Sequence, residues 1–581
     1  MTQSTNDATI THSQSFATRI AWATLVLATL YLCYFHNLGA IGLVGPDEPR
    51  YAWIARDMAE TGDWITPRLY GKPWFEKPPL YYWSAALSFK LFGVSETTAR
   101  LPSAIYALLA TLAMAWLALR LYGPETARWL LLLLPTTVAM IGFSHAATTD
   151  MPFAATLTIA MIFGARLLGL ASSSGRYFPS GVADFSRTEK PPEEGALAPE
   201  ASESSIAATR RSNHISAIFF GFFLGLAVLA KGPAAIILSG GSVLFWAICS
   251  KRWRDAFRCL HPLAIASFCT TALPWYIQCA MRSPDFLHIF IIEHNFNRFL
   301  TPEFQHIQPF WYYAGILLVA FLPWTLLLLY SVIRGSLNLW RTQTISPPTL
   351  FLLCWSLFVV FFFSISKSKL PGYILPAIPA IALLMTRHYV LAKRQSEKFL
   401  HWLLVLPPSL IAIAAILVSQ LHIGGAGSPT ERATHAVVWI LCAFAIANLL
   451  LGLSGFRSHF LASTTPLCAI PILLLLCFYP HLQSAFLPFD PSGKTLAADL
   501  TLHNIAPENL FAARMPRGQE YSLSFYLHRE IDTWITDPKA GYLLSTLRSC
   551  QELVGAQWNC STPPLYLERS GYLLYRVSPS Q

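Results

Sequence analysis

"GPDEPRYAWIARDMAETGDW", residues 45–64, follows an apolar run at about 18–40 that is long enough to cross a bilayer. Asp47, Glu48, Arg50, Arg56, Asp57, Glu60 and Asp63 put a charge at nearly every second or third position, so here the chain has left the hydrocarbon. Tyr51, Ile54, Ala55 and Met58 still recur at helical spacing. Residues 48–62 therefore read as an amphipathic helix on the membrane surface, stopping at Gly62. A second interfacial segment, "KPPLYYWSAALSFKLFG" (77–93), starts at a double proline and carries aromatics and Lys90. Together the two segments make a juxtamembrane roof; the bland alternative is a lid of solvated charges.

What the roof covers follows from the rest of the chain. Of 581 residues, 54% are hydrophobic and 12% charged, which excludes a soluble protein of this length. The formal net charge of +10 is explained by Lys and Arg retained in cytoplasmic loops. No basic groove or recognition motif accompanies it, so no nucleic acid is expected as a partner. Residues 1–17 are polar, lack Lys and Arg, and lead into an apolar stretch without a small-residue cleavage site, which predicts a signal anchor. Cys33, Cys249, Cys259, Cys269, Cys279, Cys354, Cys442, Cys468 and Cys477 lie in or beside apolar runs and read as small hydrophobes. Cys550 and Cys560 sit in a polar segment and can pair if it lies outside the cytoplasm; the alternative is two buried thiols.

Thirteen spans are predicted, near 18–40, 100–120, 127–146, 150–170, 214–231, 233–250, 260–279, 310–333, 348–366, 371–388, 400–421, 434–454 and 459–479. With the N-terminus cytoplasmic, the connections bearing Lys251, Arg252, Arg254 and Arg258, then Arg334 and Arg341, then Arg387, Lys393, Arg394 and Lys398, then Arg457, share one side. The other side receives the 47–99 loop, the Asp150 and Lys231 corners, the 280–309 loop, the 366–372 turn and the C-terminal segment. Residues 171–213, rich in Ser, Pro, Glu and Ala, are expected to be a disordered cytoplasmic loop. From about 481 to 581 the pattern becomes that of a small α/β domain. Its expected elements are a helix over 494–503, strands at 509–515 and "IDTWIT", a helix over 540–553, and a strand pair "PPLYLERS" and "GYLLYRVS" about Gly571. The fold class is thus a polytopic all-α membrane protein, about thirteen transmembrane helices with an outer α/β domain.

Ionisable residues at membrane depth are costly and point to function. Here they gather at the outer ends of spans: Asp150 after "SHAATT", Lys231 inside "GLAVLAKGPAAIIL", and Lys367 and Lys369 before "LPGYILP". The 280–309 loop adds Glu293, His294, Asn297 and Arg298. Any one of them reads equally well as a snorkelling side chain or a structural ion pair. Their convergence on one face favours a site. Lys77, Lys231, Arg298 and Lys369 suit the phosphate of a lipid carrier, and Asp47 suits a base. Glu76 with His294 offers a carboxylate and an imidazole to a divalent metal, zinc or magnesium.

"DEPRYAWIARDM", "GDWITPRLYGKPWFEKPPLYYW", "TTDMP", "LAKGP", "PDFLHIFIIEHNFNRF", "QPFWYY", "FLPW" and "SKSKLPGYILP" occur in this order. Together they resemble the consecutive motifs of bacterial GT-C glycosyltransferases, in the branch of the lipid A aminoarabinose transferases related to protein O-mannosyltransferases. The resemblance spans residues 18–480 and continues loosely through "YSLSFYL" and "LYRVS". It implies transfer of a sugar from a polyprenyl-phosphate donor to a periplasmic-side acceptor, with inversion. By the matching motifs, Asp47 is the catalytic carboxylate, Arg50 and Tyr51 are its neighbours, and Lys77 is a donor-phosphate lysine. Asp150, Lys231, Arg298 and Tyr373 are pocket residues, and Glu76 and His294 are metal ligands, with Glu293 as the fallback. The 171–213 loop is longer than the resemblance leads one to expect, and the C-terminal segment matches too loosely to assign acceptor contacts.

The expected protein is a monomer surrounded by the lipids of the bacterial inner membrane, with its C-terminal domain periplasmic. Its acceptor is expected to be lipid A or another envelope glycolipid, and the runner-up is a protein O-glycosyltransferase. A transporter or flippase would call for internal repeats and paired broken helices at the bilayer midplane, and the sequence offers neither.

Overall fold

The computed structural model describes residues 3–171, 203–297, 300, 307–395, 491–535, 538–545, 550, 554, 557–561, 564–567 and 572–580. Helix α1 (Gln3–Tyr34) leads to the roof helices α2 (Asp47–Thr61) and α3 (Leu80–Phe92). A short antiparallel ribbon, β1 (Arg68–Leu69) and β2 (Lys72–Pro73), lies between them. Then come α4 (Glu96–Tyr122), α5 (Pro124–Leu133), α6 (Val138–Ser144), α7 (Asp150–Leu167), α8 (Glu203–Lys231), α9 (Ala234–Ser250) and α10 (Pro262–Arg282). The bundle continues with α11 (Tyr312–Ala320), α12 (Thr325–Thr342), α13 (Pro347–Ile365) and α14 (Ile378–Arg394).

Among the described residues, six helices are long and apolar enough to cross a membrane, or eight if each bent pair is one span. The predicted spans at 127–146 and 310–333 are not straight. The first is α5 and α6 meeting at 62°, the second α11 and α12 meeting at 119°. Pro135 and Pro323 stand at these breaks and supply no N–H to a helix. At the first break Thr137 accepts from the Met140 amide at 3.4 Å and so caps α6. The predicted spans at 400–421, 434–454 and 459–479 lie outside the described residues, as do residues 172–202 of the expected cytoplasmic loop. That loop is shorter than predicted, because α8 starts at Glu203 and runs through 203–213 into the span. Residues 203–213 continue the helix of the apolar turns that follow them.

The roof forms where the sequence reading put it. Asp47 and Glu48 occupy the first turn of α2, where negative charge suits the helix dipole. Gly62 ends α2 at φ 75°, donating to the Met58 carbonyl, a left-handed cap that costs other residues strain. The helix-spaced face of Tyr51, Ile54, Ala55 and Met58, expected to lie on the membrane surface, is buried against Tyr81, Tyr82, Ala85 and Phe89 of α3. Ser95 and Thr98 form a capping box that starts α4.

The C-terminal domain contains α15 (Lys494–Leu502), β3 (Leu510–Ala512), α16 (Arg517–Leu527), β4 (Asp532–Thr533), β5 (Gly541–Ser545), β6 (Trp558–Cys560), β7 (Leu565–Leu567) and β8 (Tyr572–Pro579). Its sheet runs β4-β3-β5-β8-β6, with β7 on the edge of β8 that also carries β6. Strand β3 is parallel to both its neighbours, and β5 is antiparallel to β8. The helix expected over 540–553 is wrong at its start, since 541–545 is the strand β5. "GYLLS" is too short an apolar run to tell strand from helix by pattern, and pairing with β3 and β8 decides it. Cys550 and Cys560 are joined as a disulfide.

This domain docks onto the roof through α16. Leu43 donates its amide to the Tyr526 hydroxyl at 2.9 Å, and its carbonyl accepts from Ser522 at 2.7 Å. Tyr526 in turn donates to Glu96 at 2.9 Å, and Lys494 pairs with the same carboxylate at 2.7 Å.

Candidate active site

Adjacent carboxylates at the start of α2 face different surroundings. Glu48 is buried against Arg100, which enters from the first turns of α4. Arg100 donates to both Glu48 oxygens at 2.9 and 2.7 Å, and to the carbonyls of Leu38, Ile41 and Gly42 at 2.7–2.8 Å. Glu48 also accepts the amides of Val44 at 2.9 Å and Ala147 at 2.8 Å. Every guanidinium N–H and both carboxylate oxygens are thus used, the condition under which a buried ion pair is tolerable. This pair nails the exit of α1, the roof and the start of α7 together. The sequence reading missed its partner; an arginine one turn into a 27-residue apolar helix was the available signal.

Asp47 is open by contrast, with its side chain 46% exposed. Its oxygen is held by Arg50, whose other Nη reaches Glu76 at 3.0 Å, and Lys77 pairs with Glu76 at 3.5 Å. Asp47, Arg50, Glu76 and Lys77 therefore form one continuous string of alternating charge. Arg50 is itself buried, its guanidinium lying 5.4–5.5 Å from the ring centres of Tyr51, Trp74 and Tyr521. Burial works against its charge, but Glu76 and Asp47 outweigh burial and hold it protonated. Burial, reinforced by Glu76 and Asp47, pushes the Tyr51 and Tyr82 hydroxyls well above their ordinary range, so both remain neutral.

A second cluster stands at the outer ends of α7 and α8. Lys231, the last residue of α8 before Gly232 (φ 92°) and Pro233, is paired with Asp150, the first residue of α7. Its ammonium lies 4.8 Å from the Tyr373 ring centre and 5.5 Å from that of Phe153. The Pro371–Ala377 turn brings Tyr373 here, and Gly372 lets it approach: a Cβ there would lie 2.9 Å from the Asp150 carboxyl group. Asp150, Lys231 and Tyr373, each expected as a pocket residue, are neighbours here.

Other candidates fare differently. Lys369 is buried and donates to the carbonyls of Gln308 at 3.0 Å and Ser366 at 2.6 Å, so it secures a turn. Arg298 lies outside the described residues. His294 sits in the π-helical His288–Asn297 segment, close behind Phe286 and Phe290. Phe286 packs on Phe75, next to Glu76, at 5.0 Å. Glu293 pairs with His288 at 3.4 Å. Both Glu76 oxygens face cations, and among the described residues no three His, Cys, Asp or Glu converge as a metal-ligand set.

Asp63 ties the roof to α10. It accepts the amides of Ile65 and Thr66 and pairs with Arg68 at 2.7 Å and Arg282 at 2.8 Å. Burial would raise its pKa, but these donors bring it down to about 2.

The chain can be compared with known proteins. Two family models, both described as dolichyl-phosphate-mannose-protein mannosyltransferase, match residues 76–183 and 202–290. The undecaprenyl phosphate-alpha-4-amino-4-deoxy-L-arabinose arabinosyl transferase of Edwardsiella ictaluri (strain 93-146) is 32% identical over 461 residues, covering 78% of this chain and 76% of the relative. Its counterpart from Enterobacter sp. (strain 638) is 30% identical over 464 residues, covering 78% and 75%. The crystal structure of ArnT from Cupriavidus metallidurans bound to undecaprenyl phosphate superposes with a TM-score of 0.71 at 22% identity, over 96% of this chain and 98% of that one. The fold is therefore GT-C, and the chain belongs to the undecaprenyl phosphate-alpha-4-amino-4-deoxy-L-arabinose arabinosyl transferase family of multi-pass membrane glycosyltransferases.

Proposed function

We propose that this enzyme moves an aminoarabinose-like sugar from an undecaprenyl-phosphate carrier to lipid A at the outer face of the bacterial inner membrane. The observation that carries this reading is the Asp47–Arg50–Glu76–Lys77 string at the exit of the first span. It sets a half-exposed carboxylate beside cations, the combination that suits a phosphate leaving group and an acceptor.

A nucleophilic oxygen of the acceptor attacks the anomeric carbon as the bond from that carbon to the carrier phosphate breaks. The electron pair departs with the polyprenyl phosphate, and the carbon inverts. The leaving group is already anionic, so cations suffice to stabilise it and no acid is required. Lys77, Lys231 and Arg298 fill that role, with Tyr51, Tyr373 and Asp150 shaping the pocket. Asp47 accepts the proton of an acceptor hydroxyl, or orients an acceptor that is already ionised. Glu76 and His294 are the residues that would hold a divalent metal, and no step is assigned to it; metal analysis of the purified protein tests that expectation.

The disulfide Cys550–Cys560 supports a periplasmic C-terminal domain, because such bonds persist in oxidising compartments. On this reading residues 1–17 and 171–213 are cytoplasmic, 18–480 form the membrane domain, and 481–581 the periplasmic domain. Mass spectrometry of lipid A and of periplasmic glycoproteins, comparing wild type with Asp47→Asn, is the test. Loss of a lipid A adduct sustains the proposal; loss of a protein adduct alone replaces it with protein O-glycosylation.

A further inference from the structure

We propose that Tyr521, on the C-terminal domain, is a positioning residue for the transfer, acting through Arg50 on the Asp47 carboxylate. This rests on reading Asp47 as the base.

Arg50 is unusual in how it is held. Its two terminal nitrogens reach Asp47 and Glu76, while its buried Nε meets no hydrogen-bond acceptor among the described residues. Three aromatic rings do the remaining work of fixing a desolvated planar cation. Tyr51 and Trp74 belong to the roof. The third ring, Tyr521 at 5.5 Å, arrives from α16 at the far end of the chain. Asp47 is half-exposed and, among the hydrogen bonds of its side chain, Arg50 is the partner that orients it. Wherever the guanidinium settles, the Asp47 oxygen follows.

Tyr521 is itself fixed. Its ring stacks on Tyr70 with centroids 6.4 Å apart, and its hydroxyl accepts from Arg517 at 3.2 and 3.1 Å. The start of α16 lies against the chain leading into Asp47: a Cβ on Gly518 would sit 3.0 Å from the Gly45 carbonyl carbon. The membrane domain alone therefore leaves one wall of the Arg50 box open. Docking of the two domains is also secured away from Arg50, by Tyr526, Ser522 and Lys494 and by His528 against Arg56 and Glu60, so attachment does not depend on Tyr521 alone.

The test is steady-state kinetics of the purified full-length protein with an undecaprenyl-phosphate-linked sugar and lipid A, alongside thermal melting. Tyr521→Leu keeps apolar bulk but removes the π face and is expected to lower kcat about tenfold, with the donor KM within about twofold of wild type. Tyr521→Phe restores the face and is expected to restore kcat. Tyr526→Phe, which breaks docking bonds only, is expected to lower the melting temperature and leave kcat unchanged. The proposal is overturned if Tyr521→Phe is as impaired as Tyr521→Leu, or if kcat falls in step with the melting temperature in Tyr521→Leu and Tyr526→Phe alike. Asp47→Asn, measured in parallel, separates the two readings. Full activity in Asp47→Asn overturns the base assignment, whereas an inactive Asp47→Asn with an unimpaired Tyr521→Leu overturns only the positioning role.

Discussion

Asp47 and Glu48 are neighbours in sequence, share a helix turn and carry the same charge, yet they stand in opposite circumstances. Glu48 is buried, with both oxygens saturated by Arg100 and two backbone amides. Asp47 is half-exposed, tethered on one side and open on the other. A carboxylate with every lone-pair direction used holds structure together, because nothing is left to receive a proton or a ligand. One with a single partner and a solvent-facing edge can do chemistry. The 100° step between successive helical residues is enough to separate these roles.

Substitutions that exchange the two circumstances break the comparison. Asp47→Asn should remove roughly a thousandfold of kcat, about 4 kcal/mol of barrier, while the melting temperature stays near wild type. Glu48→Ala should do the reverse. Leaving Arg100 buried without its anion costs about 3 kcal/mol or more, read as a lowered melting temperature and poor recovery of folded protein, while surviving molecules turn over normally. Lys77→Met sharpens the contrast on the donor side: loss of one charge-assisted contact to phosphate, about 2 kcal/mol, should lower kcat/KM for the donor some thirtyfold. The smallest effect is expected at Asp63. Its folded pKa of about 2 lies below the ordinary value near 3.9, so its contribution is complete above pH ~4 and fades as pH falls towards 2. Asp63→Asn should therefore melt lower than wild type near neutrality, by no more than about 1 kcal/mol, with the gap closing in acid.

Much of the roof and the site could be read from the sequence, and the reason is locality. Asp47, Arg50, Glu76 and Lys77 lie within one loop, and Gly62 and Gly93 mark the ends of its helices. Asp150 and Lys231 were legible because charge at a span end is conspicuous against an apolar background. Tyr373 was named beside them only through the resemblance of its motif, and its contact with Lys231 is seen in the structure. What failed had a different physics. The bends at α5–α6 and α11–α12 sit inside apolar runs whose hydrophobicity gives no hint of direction. Residues 541–545 became a strand because β3 and β8 flank them, a long-range pairing that local pattern does not carry. The two carbonyl partners of Lys369 were also out of reach, because backbone acceptors are invisible in a string of side chains. Tyr521 had no signal at all: its relevance comes from the docking of one domain on another.

That docking has a further consequence. Tyr526 and Ser522 grip residue 43 by its amide and its carbonyl, atoms that nearly every amino acid supplies alike. A recognition written in main-chain atoms does not require its two sides to change in step. Substitution at 43 by anything but proline keeps both bonds available, and the buried Leu43 side chain is left to answer only to its packing. The outer domain can thus diverge in sequence while its register on the roof is kept.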